Sequence, residues 1–117
     1  MAGLGLLIAS CDSNPEIIPK DEVKSPDGYW VVKTQLERWS GPGNNYLDSS
    51  VTLARAKGQE KPQEILSLDI PTDDLGDVVV TWRDSHHLEL GYRKGAKVTF
   101  QVVKCADLEI SATRMAF

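Results

Sequence analysis

The amino-acid sequence predicts an all-β domain of about seven antiparallel strands, arranged as a small sandwich or a partly open barrel. Apolar and polar residues alternate with a period of two along most of the chain after Gly28, as strands with one buried face require. Glycine and proline interrupt this alternation at short intervals, so no convincing helix fits between the turns. With 117 residues, the chain is long enough for one hydrophobic core.

Three strands are predicted in the first half of this domain. Residues 29–36 are rich in aromatic and β-branched side chains, which favour strands. A loop of glycine, proline and asparagine follows at 41–45. Residues 50–56 form a short second strand, and residues 64–70 form a third that ends at Pro71.

Four strands are predicted in the second half. Residues 77–82 give the strongest strand signal, and residues 88–92 pair with them across the turn at 83–87. Two further strands, 98–104 and 108–115, complete the domain. One core should be shared by the apolar faces, containing Trp30, Val32, Val80, Trp82, Leu90, Phe100 and Ile110.

The first ten residues, 1–10, contain no charged side chain and are too short for a transmembrane helix. The segment Leu7-Ile8-Ala9-Ser10-Cys11 resembles a bacterial lipobox, in which an aliphatic residue and small residues precede a cysteine that becomes lipidated. The resemblance implies a signal segment at 1–10 and lipid attachment at Cys11. The alternative is an apolar strand or buried tail with Cys11 as a core thiol, because the segment lacks the usual positive charge.

Residues 11–27 are predicted to be a lipid-anchored tether, since they contain three prolines and no sustained periodicity. The β domain would then comprise residues 28–117. This organisation predicts a membrane-anchored lipoprotein of the cell envelope that faces the periplasm or the outside, with the membrane as a partner through its anchor.

The charge distribution argues against nucleic acid as a partner. The formal net charge is −4, and lysine and arginine are scattered along the chain. Nucleic-acid binding needs a clustered basic surface that displaces counterions from phosphates. We therefore expect a protein or another envelope component as the partner.

The two histidines, His86 and His87, are weak candidates for metal binding. They are adjacent on a predicted turn, where their side chains should splay to opposite sides, and no third histidine exists in the chain. The sequence also lacks a nucleophile elbow and a glycine-rich phosphate loop. We expect no metal, no cofactor, no catalytic residue and no enzymatic activity, with Cys105 as a small packed residue.

Trp39 and Tyr46 are candidates for partner contact. Both flank the predicted loop at 41–45, and Trp39 has no periodic partner in a strand. Aromatic side chains in loops on a rigid β scaffold are suited to binding.

Three sequence motifs carry a family resemblance. Ser25-Pro26-Asp27-Gly28 precedes the first strand, Val80-x-Trp82-x-Asp84 follows in the second half, and Leu88-x-Leu90-x-Tyr92 comes last. The chain thereby resembles small uncharacterised bacterial exported proteins and lipoproteins with an S-P-D-G, V-x-W-x-D and L-x-I-x-Y pattern. It departs from them in the first hairpin, where Trp39-Ser40-Gly41-Pro42-Gly43 replaces a Cys-Gly-Ala-Thr-Thr segment. The resemblance implies an exported β domain and no particular activity.

Three functional hypotheses are compatible with these features. The first is a non-enzymatic envelope lipoprotein that binds a partner through its loops. The second is a small-ligand or enzyme-inhibitor β-barrel module. The third is a metal-dependent or hydrolytic enzyme that would use His86, His87 and nearby aspartates. An exposed Trp39 favours the first hypothesis, and a deep pocket at the histidines favours the third.

Overall fold

Strands form most of the regular structure in the computed structural model, which describes residues 15–40, 46–58 and 60–116. The nine strands within these ranges are β1 (Glu16–Lys24), β2 (Trp30–Trp39), β3 (Tyr46–Arg55), β4 (Gln63–Ile70), β5 (Val78–Asp84), β6 (His87–Tyr92), β7 (Lys97–Gln101), β8 (Lys104–Cys105) and β9 (Leu108–Arg114). A turn of 3-10 helix, Asp73–Leu75, lies between β4 and β5. The all-β prediction is confirmed.

The strands form two sheets that share a core, as in a sandwich. The five-stranded sheet has the order β1-β2-β3-β4-β7, and the four-stranded sheet has the order β5-β6-β9-β8. Residues 102–103 link the sheets along one side, where Val102 N donates to Ile65 O and Ile110 N donates to Val103 O. Along the other side, β1 and β5 flank a cleft of about 300 Å³. The sandwich is therefore not closed into a barrel.

The core lies between the inner faces of the two sheets. Its buried side chains are Trp30, Val32, Leu36, Val51, Leu53, Ile65, Leu66, Leu68, Ile70, Val78, Leu88, Leu90, Leu108 and Ile110. Val80 and Trp82 pack against this cluster while partly exposed. Of the predicted core side chains, Phe100 alone lies outside the cluster.

Phe100 is 45% exposed because a β-bulge in β7 reverses the expected alternation. Val98 pairs with Leu68, but Phe100 pairs with Ser67, so Thr99 is an extra residue between two neighbouring register positions. An extra residue moves every following side chain to the opposite face. The prediction that Phe100 points inward is therefore wrong.

The predicted tether is wrong for residues 16–24, which form β1. Ile18 pairs with Leu36 and Val23 pairs with Val32, so β1 is an antiparallel edge strand of the larger sheet. Pro19 is accommodated on this edge, where a missing backbone N–H does not interrupt a central ladder. The folded domain therefore includes residues before 28, namely Glu16–Lys24.

The strand count and the direction of one strand pair also differ from prediction. The expected strand at 98–104 is divided into β7 and β8, which belong to different sheets. β6 and β9 are parallel, with His87 opposite Glu109 and Leu90 opposite Ala112. This pairing is possible because the chain from β6 passes through β7 in the other sheet before it returns as β9.

The Ser25-Pro26-Asp27-Gly28 motif closes the hairpin between β1 and β2. The Ser25 hydroxyl donates to Asp27 Oδ1 at 2.6 Å and accepts from Trp30 N at 3.0 Å. Gly28 has φ +75°, a conformation that favours glycine. The hydrogen bonds from the Ser25 hydroxyl and from Tyr29 N–H lower the pKa of Asp27. The motif has a structural role in this chain.

Gly76 allows the connection between the sheets to pass close to the core. A Cβ atom at this position would lie 2.3 Å from Leu36 Cδ2 and 2.9 Å from Ile70 Cδ1. The buried Ser49 hydroxyl donates to Gly76 O at 2.7 Å. These contacts hold the connection against the end of the larger sheet that carries Trp39 and Tyr46.

Candidate functional site

Trp39 and Tyr46 form a stacked aromatic pair at the end of the five-stranded sheet. Trp39 is the last residue of β2 and Tyr46 is the first of β3, and the two are opposite each other in the hairpin register. Their ring centroids are 5.7 Å apart and the ring planes are inclined by 12°. Both residues were expected beside the loop at 41–45 and outside the predicted strands 29–36 and 50–56, whereas each belongs to a strand that is longer than predicted.

Asp48 holds the indole of Trp39. Trp39 Nε1 donates a hydrogen bond to Asp48 Oδ2 at 3.0 Å. Residues 46 and 48 lie on the same face of β3, because side chains two positions apart point to the same side of a strand. The bond therefore orients the indole that stacks on Tyr46.

Partial burial raises the pKa of Asp48 above its usual range. Its hydrogen bond from Trp39 opposes this change, and the negative charges of Asp69 and Glu64 add to it. Burial is therefore the first cause of the raised pKa of Asp48, and the neighbouring negative charges are a smaller one.

Three carboxylates form a row on the outer face of the sheet, beside the aromatic pair. Glu37 on β2 is opposite Asp48 on β3, and Asp48 is opposite Asp69 on β4. Neighbouring strands are about 4.8 Å apart, so these side chains are immediate neighbours. None of the three forms an ion pair with a described residue, although Lys97 pairs in register with Asp69.

An open groove of about 630 Å³ lies beside the aromatic pair. We call it the Trp39–Tyr46 groove. Its apolar and aromatic lining consists of Trp39, Tyr46, Leu47, Ile70 and Pro71, and its polar lining consists of Arg38, Ser40 and Asp69. The volume lies within the usual range of ligand sites, about 300–1,000 Å³.

Arg38 is the positive group in this lining, and carboxylates outside the groove engage it. Arg38 Nη1 lies 3.1 Å from Glu16 Oε1, and Arg38 Nη2 lies 3.9 Å from Asp73 Oδ2. Its charge is therefore balanced without the row of Glu37, Asp48 and Asp69.

His86 and His87 contact different carboxylates on the turn between β5 and β6. His86 Nδ1 lies 3.1 Å from Asp107 Oδ2, whereas His87 Nδ1 lies 2.8 Å from Asp84 Oδ1. The hydrogen bond with Asp84 raises the pKa of His87, and the same bond lowers the pKa of Asp84. Within residues 15–40, 46–58 and 60–116, no group of three or more histidine, cysteine, aspartate or glutamate side chains is arranged to hold a metal ion.

The two cysteines fall in different parts of the chain. Cys11 lies outside the described residues, so the lipid attachment predicted there has no structural description. Cys105 is a free, partly buried thiol on β8, with Sγ 3.6 Å from Gln63 Oε1. No helix in the described part of the chain is long and apolar enough to cross a membrane.

Sequence reasoning identified Trp39 and Tyr46 but missed the residues that surround them. Asp48 and Asp69 belong to different strands, and only the sheet register places them beside the rings. The spacing of Tyr46 and Asp48 is a signal in the sequence that could have found Asp48. In a strand that begins at residue 46, side chains two positions apart lie on the same face.

The comparisons with known proteins assign no relative to this chain. No family model, no curated protein and no solved structure matches it.

Proposed function

We propose that this protein is a non-enzymatic binding module of the cell envelope, anchored to a membrane through Cys11, and that the Trp39–Tyr46 groove contacts its partner. The stacked ring pair carries the proposal. Tyr46 is 49% exposed, so its ring is accessible to a partner while it stacks on Trp39. Aromatic residues that are rigid and exposed are typical centres of binding surfaces.

The surroundings of the rings support a binding role. Trp39 is held by Asp48, and the groove beside it offers apolar surface together with a few polar groups. Such a mixture fixes the orientation of a partner through polar contacts while apolar contacts supply most of the affinity.

The place of the groove relative to the anchor also supports the proposal. Glu16 pairs with Arg38, the neighbour of Trp39, so β1 begins at the end that carries the groove. Five residues from Cys11 to Glu16 span at most about 18 Å when fully extended. A lipid on Cys11 would therefore keep the groove close to the membrane surface, where an envelope partner is found.

Site-specific photocrosslinking in the native host tests the contact surface. A photoreactive phenylalanine analogue replaces Tyr46 in one variant and Val79 in a control variant. Val79 is a matched control because it is 50% exposed and lies on the other sheet. We expect a discrete crosslinked product from position 46 and none from position 79, because a specific partner contacts one face.

Adding Trp39→Ala to the position-46 variant should reduce that crosslinked product several-fold. Equal products from positions 46 and 79, or no product from position 46, would contradict the proposed surface.

A further inference from the structure

We infer that the Trp39–Tyr46 groove binds an arginine-bearing peptide segment of a protein partner, with the guanidinium group stacked on the aromatic pair and paired with Asp48 and Asp69. This inference rests on the proposed function, since it names the chemistry of the partner that the groove takes. It is argued from the carboxylates beside the groove, from the exposed aromatic faces, and from the planar shape of a guanidinium group that fits both.

The row of carboxylates beside the groove is complementary to a cation, and Arg38 in the groove lining is paired with Glu16 and Asp73. Glu37, Asp48 and Asp69 occupy neighbouring strands on one face. The cations that form ion pairs elsewhere in the described residues, such as Lys33 with Glu22, do not reach this row. A bound cation would relieve the repulsion between Asp48 and Asp69, which adds to the effect of burial in raising the pKa of Asp48.

The aromatic pair adds an attraction that favours cations over neutral groups. The face of an aromatic ring carries negative potential, and tryptophan has the strongest effect among the side chains. The hydrogen bond from Trp39 Nε1 to Asp48 leaves the indole next to an anion, which makes its ring face still more favourable for positive charge. Carboxylate and ring therefore attract the same ligand group.

The planar shape of guanidinium favours arginine over lysine. Guanidinium stacks flat on aromatic rings, and its N–H groups pair with carboxylates in a forked geometry. This protein already shows the first of these contacts, since Arg55 lies over the ring of Tyr29 at 5.8 Å. The aliphatic part of an arginine side chain can pack on Leu47, Ile70 and Pro71 along the groove.

Nuclear magnetic resonance titration of the full 117-residue chain tests this inference. The probe is acetyl-Gly-Arg-Gly-amide, and the matched control is the same peptide with citrulline, which has nearly the same shape without the charge. We expect saturable shifts at the Trp39 indole N–H and at Tyr46 with the arginine peptide, and binding at least several-fold weaker with the citrulline peptide. Raising the salt concentration should weaken the arginine complex, because screening reduces attraction between exposed charges.

Two variants and a third probe complete the test. Asp48→Asn keeps the size of the side chain and an acceptor for Trp39, and it should weaken arginine binding about fivefold. Asp107→Asn, which removes an exposed carboxylate on the other sheet, should leave binding unchanged. Phosphoethanolamine serves as the probe for an ammonium from a lipid headgroup, and it should not displace the peptide.

Equal binding of the arginine and citrulline peptides, absence of shifts with the arginine peptide, or displacement by phosphoethanolamine would each overturn the inference. The proposed function fails separately. Crosslinking at position 46 without arginine binding would keep the groove as a contact surface and reject only the chemistry assigned to its partner.

Discussion

Single side chains in this protein acquire their roles from partners on neighbouring strands or turns. Trp39 is oriented by Asp48, which lies nine positions later in the chain. Ser49 holds the backbone of Gly76 over a separation of 27 residues. His87 contacts Asp84 within its own turn and lies 3.8 Å from Glu109 of the parallel strand β9. The Ser49 contact is buried, whereas those of Trp39 and His87 lie at the surface.

The pair of His87 and Asp84 should make stability depend on pH. The pKa of His87 is raised in the folded state, so its contribution is present below the unfolded value of about 6.5 and is lost as pH rises through the folded value. The pKa of Asp84 is lowered, so its contribution is present above about 3.9 and is lost as pH falls through the folded value. The pair therefore stabilises the fold most in mildly acidic solution.

Urea denaturation of the wild type and of His87→Gln at a series of pH values measures this effect. The wild type should have the higher midpoint near pH 5.5, and the difference should shrink toward zero above about pH 8. In an Asp84→Asn background, which keeps an acceptor for His86 N, the pH-dependent part of the difference should be lost. A difference that stays constant between these pH values would show that the pair does not contribute.

At the scale of the element, β-bulges and edge positions determine which side chains of a strand face the core and which strands are open to pairing. Register shifts place an extra residue in each of β1, β4, β5 and β7, namely Lys20, Ile65, Arg83 and Thr99. The bulge at Ile65 places this residue and Leu66 both in the core. The bulge at Lys20 lies on an edge strand, where a bulge and a charge discourage pairing with other chains. Each bulge therefore sets the faces of the residues on either side of it.

Strand β1 should contribute substantially to stability. A chain that begins at residue 25 loses the β1–β2 ladder and uncovers Val32 and Leu36. We expect the free energy of unfolding to fall by about 3 kcal/mol or more, from lost hydrogen bonds and the partly buried Ile18 and Val23. Chemical denaturation measures the change, and a chain that begins at residue 15 is the control because it retains the whole of β1.

If residues 16–24 were only a linker, both shortened chains would be equally stable. That result would reject the assignment of β1 to the domain.

At the scale of the whole molecule, the two ends of the sandwich have different chemistry. One end carries the aromatic groove and the carboxylate row, and β1 begins there. The His86 and His87 turn lies at the other end, near Tyr29 and Arg55, and its imidazoles contact Asp107, Asp84 and Glu109. A membrane anchor near the first end would concentrate the groove and its partner at a surface, which raises their effective concentration.

The proposed lipid anchor at Cys11 is tested by replacing this cysteine. Replacement of Cys11 by serine should move the protein from the membrane fraction to the soluble fraction, because acyl chains supply about 0.8 kcal/mol per buried methylene. Cys105→Ser is the matched control and should leave the distribution unchanged. Mass spectrometry of the protein expressed in the native host with its genomic upstream sequence should find a mature N-terminus at a lipidated Cys11. An intact Met1 with an unmodified Cys11 thiol would reject the anchor.

The sequence by itself determined the fold class and most of the core. Alternation with a period of two is a local property, so it identifies inward side chains such as Trp30, Val32, Leu90 and Ile110 wherever a strand runs without interruption. It also indicated the two aromatic residues of the candidate site.

Only the tertiary structure decided which strands are neighbours and which residues share a surface. The place of β1 beside β2, the parallel pairing of β6 with β9 and the outward face of Phe100 depend on hydrogen bonds between distant segments. The same holds for the row of Asp48 and Asp69 beside the stacked rings. Register is a property of two strands together, and one inserted residue reverses a face, so local periodicity does not contain this information.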